Sequence, residues 1–166
     1  MREPLAIKIV RGSILDVDVQ AIVNAANSLG IMGGGVAGVI KRAAGPDVEE
    51  EARRQAPIPV GNAVLTSGGK TRFQGIIHAP TMPQPAMRIP AKNVGLATRA
   101  ALRLADEKGF ESLAIPGMGT GVGGVEPTSA AAEMFRELRA HKPKTLRTVV
   151  LVDIDPEMVS AWQQQL

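Results

Sequence analysis

Short runs of β-branched and aliphatic residues alternate with longer helical patterns along the 166-residue chain. This alternation predicts an α/β layered domain, because strands and helices of this kind bury their apolar faces against each other. Several runs are apolar without interruption, as expected of strands that helices cover on both faces. The predicted strands are 6–10, 21–24, 63–66, 75–79, 112–116 and 148–154, and the predicted helices are 36–44, 48–55, 92–108, 128–140 and 157–165.

The length fits one domain over residues 1–166, since a chain of this size buries roughly two thirds of its unfolded surface. Hydrophobic residues make up 45% of the chain and aromatic residues only 2%, so we expect an aliphatic core. The chain has no cysteine, which excludes disulfides, thiolate metal sites and a cysteine nucleophile. No histidine spacing is typical of a metal site, so we expect neither a metal nor a cofactor.

The charge pattern argues against nucleic acid as the main partner. The formal charge is only +3, no basic run exceeds two residues, and aromatic side chains for base stacking are scarce. The mainly apolar run before Arg11 spans five residues, AIKIV, and is too short for a signal peptide or a membrane span. We therefore expect a cytoplasmic protein with no membrane partner.

Two glycine-rich segments indicate an anion site. Residues 33–35 are three glycines directly before a predicted helix, where the first helical amides lack acceptors. Residues 117–124 hold five glycines after a buried strand, and their exposed amides could close over the same anion. Tight turns alone would explain one such segment. In a mostly parallel sheet, however, both follow the carboxyl ends of strands, and two opposed loops suit a diphosphate.

Two of the four asparagines, Asn24 and Asn27, stand in the run NAAN at the end of a predicted strand. Asn24 is interpreted as a cap for local backbone groups, with ligand contact as the alternative, whereas Asn27 can offer a donor and an acceptor to a sugar hydroxyl. His78 is interpreted as a hydrogen-bonding residue at a strand end, and His141 as a favourable charge near the end of a helix.

Two further segments are predicted to be connections. Residues 67–71, SGGKT, lead into a strand and not into a helix, so we interpret them as a hairpin turn. Residues 80–90 contain four prolines and are predicted to form a stiff rim loop outside any central strand.

In combination, the motifs resemble the macro domain, a module that binds ADP-ribose. The resemblance rests on GSI at 12–14, AIVNAANS at 21–28, GGGVAG at 33–38, AAGPDV at 43–48, IIHAP at 76–80 and IPGMGTGVGG at 115–124. It covers essentially the whole chain. It implies a three-layer α/β/α sandwich around a mixed sheet, with ADP-ribose or an ADP-ribosylated protein as the partner.

The resemblance also implies the roles of individual residues. The two glycine loops would hold the diphosphate, and Asn27 would hold the distal ribose and act in catalysis. Ser13 and Ile14 would lie at the adenine, with Ile154 near its face. The ligand-binding residues predicted in this way are Ser13, Ile14, Asn24, Gly34, Gly35, Val36, Ala37, Pro116, Gly119, Thr120, Gly121, Val122, Gly123 and Ile154.

The chain departs from the family pattern at several of these positions. Ser13 stands where an aspartate usually meets the adenine, and Gly123 and Ile154 stand where many members carry an aromatic. Ala37 replaces the aspartate that could activate water in hydrolytic members. We therefore expect ADP-ribose binding with slow hydrolysis of a mono-ADP-ribosylated protein, O-acetyl-ADP-ribose or ADP-ribose-1''-phosphate. The alternative is a reader module without catalysis.

Overall fold

The computed structural model describes residues 4–166, so the first three residues of the expected domain lie outside the described residues. The strands are β1 (Ala6–Arg11), β2 (Ala21–Asn27), β3 (Val64–Thr66), β4 (Gly75–Met82), β5 (Ser112–Ile115) and β6 (Thr148–Asp153). The helices are α1 (Gly35–Ala44), α2 (Pro46–Arg54), α3 (Ala91–Glu107), α4 (Pro127–Ala140) and α5 (Pro156–Gln163), and a short 3-10 helix spans Ile14–Asp16. None of the helices in this part of the chain is long and apolar enough to cross a membrane.

The six strands form one mixed sheet in the order β1-β6-β5-β2-β4-β3. Every neighbouring pair is parallel except β3 and β4. One face of the sheet packs against α3, α4 and α5, and the other face packs against α1 and α2. The structure thus confirms the predicted three-layer α/β/α sandwich with a mixed sheet.

The core is mainly aliphatic, as the composition predicts, and all the aromatic side chains are also buried in it. Phe73, Phe110, Phe135 and Trp162 are all buried, with at most 7% of their surface exposed. Burying such large side chains is strongly favourable, because the hydrophobic contribution grows with the apolar area removed from water. As a consequence, no aromatic ring remains on the surface of the protein to stack on a ligand.

Two strands run three residues further than predicted, and one of them contradicts the interpretation of the proline-rich segment. β2 continues to Asn27, and β4 continues through Pro80 to Met82, so Pro80 lies inside a central strand. β3 pairs with β4 only at residues 76–78, so β4 is an edge on that side from residue 79 onward. Proline is tolerated at such edges. On the other side, the register between β2 and β4 shifts at residues 26–27.

The predicted hairpin turn is confirmed, and prolines begin two of the helices. Residues 67–71 lie in the connection between the antiparallel strands β3 and β4, as expected of a hairpin turn. α4 begins at Pro127, and α5 begins at Pro156 after Asp155. The Asp155 carboxylate accepts a hydrogen bond from the Glu157 amide at 3.0 Å, which is the N-cap contact that its position predicts.

A buried carboxylate joins the helical layer to the start of β6, at the end of the sheet opposite the glycine loops. Asp106 Oδ1 accepts hydrogen bonds from the amides of Lys144 (3.1 Å), Thr145 (2.7 Å) and Leu146 (2.8 Å). Its Oδ2 lies 2.5 Å from Nε2 of His141, the residue that caps the end of α4. His141 therefore pairs with a specific carboxylate in addition to lying near the end of the helix.

The hydrogen bonds decide the protonation state of Asp106. Burial alone would raise the pKa of this carboxyl group, but the donors at Leu146, His141, Thr145 and Lys144 outweigh burial and lower the pKa below its ordinary value of 3.8. Because the pKa is lowered in the folded protein, the ionised carboxylate stabilises the fold. This contribution is complete at pH values above the ordinary pKa, and it is lost as the pH falls through the lower pKa of the folded protein.

We expect Asp106→Ala to lower the free energy of unfolding by about 3 kcal/mol near neutral pH, because it leaves three backbone amides and His141 without an acceptor, and one of these amides belongs to the buried Leu146. Urea titration of both proteins measures this difference. The difference should shrink on acidification below the ordinary aspartate pKa, since the wild type then loses the same contribution. The exposed Asp18, changed to alanine, is the matched control. A difference that stays constant with pH would contradict the assigned role of the carboxylate.

Candidate functional site

The parallel pairing places the connections that follow β1, β2, β4, β5 and β6 at one edge of the sheet, which we call the crest. Backbone hydrogen bonds tie these connections together. The Ser28 amide donates to the Met82 carbonyl at 2.9 Å, and the Gly12 amide donates to the Asp153 carbonyl at 3.0 Å. The Gly117 amide donates to Asp153 Oδ2 at 3.0 Å. The prediction that both glycine-rich segments follow the carboxyl ends of parallel strands is therefore confirmed.

The first glycine loop, residues 28–35, ends in unpaired amide donors. Gly34 is the N-cap of α1, and the first bond to it along the helix runs from the Gly38 amide to the Gly34 carbonyl at 3.1 Å. The amides of Gly35, Val36 and Ala37 have no acceptor within residues 4–166. Such a helix start favours an anion by about 0.3–1 kcal/mol, in addition to the hydrogen bonds themselves.

The second glycine loop, residues 117–124, uses its carbonyls internally and leaves amides unpaired. The Gly121 carbonyl accepts from the Gly124 amide at 3.1 Å, and the Gly119 carbonyl accepts from the Val125 amide at 2.9 Å. The amides of residues 119–122 find no acceptor in the described chain. Consecutive unpaired amides of this kind form an anion-binding nest.

Three of the loop glycines, Gly33, Gly34 and Gly121, are not required by the fold. A Cβ atom added at any of them would meet no heavy atom within 4 Å, and none of the three backbones is left-handed. Gly34 has an extended backbone at φ −142°. The described chain leaves room for a Cβ atom at each of these positions. Glycine there keeps space open next to the unpaired amides.

Other glycines of the loops are structural. Gly35 and Gly119 have φ values of +59° and +74°, which side chains rarely adopt. A Cβ atom on the buried Gly123 would lie 2.5 Å from the Gly119 carbonyl oxygen. In this loop conformation Gly123 therefore leaves no room for the aromatic that many macro domains carry.

Asn27 holds the first glycine loop in shape. Its Oδ1 accepts from the amides of Leu29 (3.1 Å) and Ile31 (3.3 Å), and its Nδ2 donates to the Ile31 carbonyl at 2.8 Å. The side chain is mostly buried, with 8% of the residue exposed. The side-chain carbonyl is fully used, and one N–H of the amide group remains as a donor.

Glu49, on α2, is a second anchor of the same loop. Its Oε2 accepts from the Met32 amide at 2.6 Å, and its Oε1 pairs with the Lys41 ammonium at 2.8 Å. Burial would raise the pKa of Glu49, but the bonds from Lys41 and Met32 and the charges of Lys41 and Arg53 lower it below its ordinary 4.5. Glu49 lies seventeen positions from its partner amide, and no local motif signals the contact.

Asn24 and His78 form a buried polar chain beside this loop. Asn24 Nδ2 lies 3.1 Å from His78 Nδ1, and His78 Nε2 lies 2.9 Å from the Thr66 hydroxyl. The hydroxyl donates to the Ser67 carbonyl, so Nε2 of the histidine carries the proton. Burial lowers the pKa of His78 to about 4, against a weaker opposing effect of Glu51, so the ring is neutral near neutral pH.

Both sequence interpretations of these residues need correction. Asn24 does not cap neighbouring backbone groups, because β2 extends three residues beyond it and its side chain binds His78. His78 is a hydrogen-bonding residue, as expected, but it lies in the interior of β4 and not at its end. Asn24 is 1% exposed, and its Oδ1 has no donor within the described residues. Its contact with a ligand stays a prediction.

The far end of the crest carries the residues predicted to lie at an adenine. Ser13 Oγ accepts from the Leu15 amide at 3.2 Å, so this oxygen caps the short 3-10 helix. The Ile14 side chain is buried in the core. Its backbone amide has no acceptor among residues 4–166. Ile154 is 73% exposed and Val122 is 65% exposed, so both present aliphatic surface.

The remaining predicted residues line the inner side of the crest. Pro116 is buried directly after β5, Thr120 is half-buried in the second glycine loop, and Val36 is half-buried in the first turn of α1. Ala37 is 9% exposed and packs in the core beneath α1.

The carboxylates that touch the crest loops are already engaged as acceptors. Glu49 binds Met32 and Lys41, and both oxygens of Asp153 accept backbone amides, from Gly117 and Asp155. Among the described residues, no group of three or more His, Asp or Glu side chains could hold a metal ion. Glu49 and Asp153, which hold the glycine loops by these hydrogen bonds, are therefore not free to act as a base.

Known proteins are similar to this chain in sequence and in fold. A model of the Macro domain family matches residues 23–134. An uncharacterized protein of Aquifex aeolicus is 59% identical over 160 residues, which is 96% of this chain and 97% of that protein. A Trypanosoma brucei macrodomain in complex with ADP-ribose is 26% identical, with a TM-score of 0.85 over 96% of this chain and 68% of the other. A mutant of the Oceanobacillus iheyensis macrodomain with ADPR is 28% identical, with a TM-score of 0.82 over 95% and 89%.

The hydrogen bond from the Met32 amide to Glu49 is expected to hold the first glycine loop in place. We expect Glu49→Ala to accelerate hydrogen exchange of the Met32 amide by roughly 10- to 100-fold, the equivalent of losing one charge-assisted hydrogen bond. Exchange followed residue by residue by NMR is the measurement. Glu50→Ala is the control, since Glu50 pairs with Arg54 on the exposed side of the same helix. Equal protection of Met32 in both variants would show that the carboxylate does not hold the loop.

Proposed function

Since the chain belongs to the macro domain family, we propose that it binds ADP-ribose along the crest, with the diphosphate between the two glycine loops. Unpaired amides at residues 35–37 and 119–122 supply the donors. Such donors suit the charged, non-bridging oxygens of a diphosphate, since hydrogen bonds to charged groups are stronger than those between neutral groups. The proposed partners are ADP-ribose and ADP-ribosylated proteins of the cytoplasm.

The open space at Gly34 and Gly121 is the observation that carries this proposal. The fold itself tolerates a side chain at both positions, so their lack of one matters only to something that approaches the backbone from outside. Both positions adjoin amides that lack acceptors. A ligand with negative oxygens on two sides explains all of these features together.

Recognition of the adenine is expected to be weaker than recognition of the diphosphate. The Ser13 hydroxyl oxygen already accepts a backbone amide, and it carries no charge. All aromatic side chains are buried, so the base can rest only on aliphatic surface such as Ile154. The loss of aromatic stacking costs on the order of 1–3 kcal/mol per base.

The distal ribose is proposed to lie beside Asn27. The one N–H of Asn27 Nδ2 that is not used in the loop can donate to a ribose hydroxyl. Because the same side chain also holds Leu29 and Ile31, we assign it both binding and positioning.

Hydrolysis of an ADP-ribosyl ester is the second candidate function, and the anchored donor of Asn27 is what favours it. Water would attack the anomeric carbon of the distal ribose, the bond to the ester oxygen would break, and the released carboxylate would keep the electron pair. A carboxylate leaves without protonation, since its conjugate acid has a pKa of about 4. The proton of the water would pass to a diphosphate oxygen of the substrate, which is a weaker base than a poised carboxylate. Slow turnover is therefore expected.

Gly121→Glu and Gly34→Glu should each weaken ADP-ribose binding by at least about 100-fold, because a side chain and a negative charge fill the space next to the amide donors. Gly34 is a better position for this test than Gly35, whose left-handed backbone would strain any substitution. Isothermal titration calorimetry gives the affinities.

Gln163→Glu on the exposed face of α5 adds the same charge away from the crest and serves as the control. It should keep the wild-type affinity. ADP-ribose binding that survives in both glycine variants would place the diphosphate elsewhere.

Incubation with a protein mono-ADP-ribosylated on glutamate tests the second candidate. We expect slow release of ADP-ribose by the wild type and a loss of at least about tenfold in the rate at saturating substrate for Asn27→Ala, the equivalent of one hydrogen bond. Binding should weaken in the same variant, since the loop loses its anchor. No release by an excess of wild-type protein that still binds ADP-ribose would leave only the reader function.

A further inference from the structure

Arg88 lies in the connection between β4 and α3 and rests against the second glycine loop. The amide of the next residue, Ile89, donates to the Gly123 carbonyl at 2.9 Å, which fixes the backbone beside the loop. The guanidinium lies directly over Gly124, where an added Cβ atom would come within 2.9 Å of Nη2 and 3.0 Å of Cζ. Gly124 has a left-handed backbone at φ +73°, which favours glycine, and the guanidinium occupies the space beside it.

The guanidinium has no acceptor in the part of the chain that the structure describes. Arg88 forms neither an ion pair nor a side-chain hydrogen bond there, and the residue is exposed. Arg72, in contrast, donates to the Leu15 and Val17 carbonyls, and Arg54 pairs with Glu50. All five N–H groups of Arg88 are available to a ligand, in the planar fork that matches phosphate and carboxylate groups.

The strand order locates Arg88 relative to the proposed ligand. The residues expected at the adenine follow β1 and β6, the second glycine loop follows β5, and the first glycine loop follows β2. Arg88 follows β4, the next strand along the crest beyond β2. The connection begins at Met82, which pairs with Asn27, and Arg88 rests against the second glycine loop, so we infer that Arg88 borders the diphosphate on the side of the distal ribose proposed beside Asn27.

We propose that Arg88 forms an anion subsite for the group carried by the distal ribose. This inference rests on the proposed function. The chemistry that fits is an oxyanion next to the anomeric position, either a phosphate on the ribose itself or a carboxylate beside the attachment point on a protein. The subsite would make the protein prefer ADP-ribose in a modified, anionic form over free ADP-ribose.

Calorimetry with the full chain tests the subsite. Wild type should bind ADP-ribose-1''-phosphate roughly three- to tenfold more tightly than ADP-ribose, as expected for a partly exposed charge-assisted contact. Arg88→Gln should keep the wild-type affinity for ADP-ribose and lose the preference. Arg103→Gln, which removes the same charge from the exposed face of α3, should keep the preference.

A second pair of probes separates the two sources of the anion. One peptide carries ADP-ribose on a serine flanked by glutamates, and the other has glutamines in their place. A preference for the glutamate peptide that depends on Arg88 assigns the subsite to proteins, and a preference confined to ADP-ribose-1''-phosphate assigns it to the phosphorylated ligand. Either result supports the subsite.

Equal affinities of wild type and Arg88→Gln for every anionic probe would overturn the inference while leaving ADP-ribose binding intact. No binding of any probe by the wild type would instead overturn the proposed function. Thermal unfolding checks that Arg88→Gln is folded. Arg88→Lys, which keeps the charge without the planar fork, should retain part of the preference and provides a second variant.

Discussion

The parallel pairing of five strands determines where all the chemistry of this protein can lie. Parallel neighbours bring the carboxyl ends of β1, β6, β5, β2 and β4 to one edge, and their connections meet there. The two glycine loops lie on adjacent strands of that edge, so their unpaired amides belong to one surface. Without this alignment, the amides of residues 35–37 and 119–122 would be separate helix and loop features with no common ligand.

The glycines of the crest divide into those that shape the loops and those that leave room. Gly119 and Gly123 are needed for the turn itself, whereas an added Cβ atom at Gly33, Gly34 or Gly121 would meet no atom of the described chain. Because the core also absorbs every aromatic ring, the crest offers amide donors and aliphatic walls and no ring. These two facts favour a ligand held by its phosphates more than by its base.

Local patterns in the sequence predict most of the fold and the main loops of the site. Apolar periodicity identifies every strand and helix to within a few residues, and composition identifies both glycine loops. Long-range contacts are not visible in such patterns. Pro80 enters a central strand because β3 is short, and Asn24 binds His78 because β2 and β4 are neighbours. The contacts of Glu49 and Arg88 with the glycine loops depend on the packing of distant segments, so no spacing rule reveals them.

Amide chemical shifts test the central claim most directly, because a hydrogen bond to an anion moves the amide proton and nitrogen resonances of the donor. On titration with ADP-ribose, the account predicts the largest downfield shifts at the amides of residues 35–37 and 119–122. Smaller changes are expected at Ser13 and Ile14, and none around Asp106 at the opposite end of the sheet. Binding without shifts at either glycine loop would contradict the account, since the diphosphate would then be held by other groups.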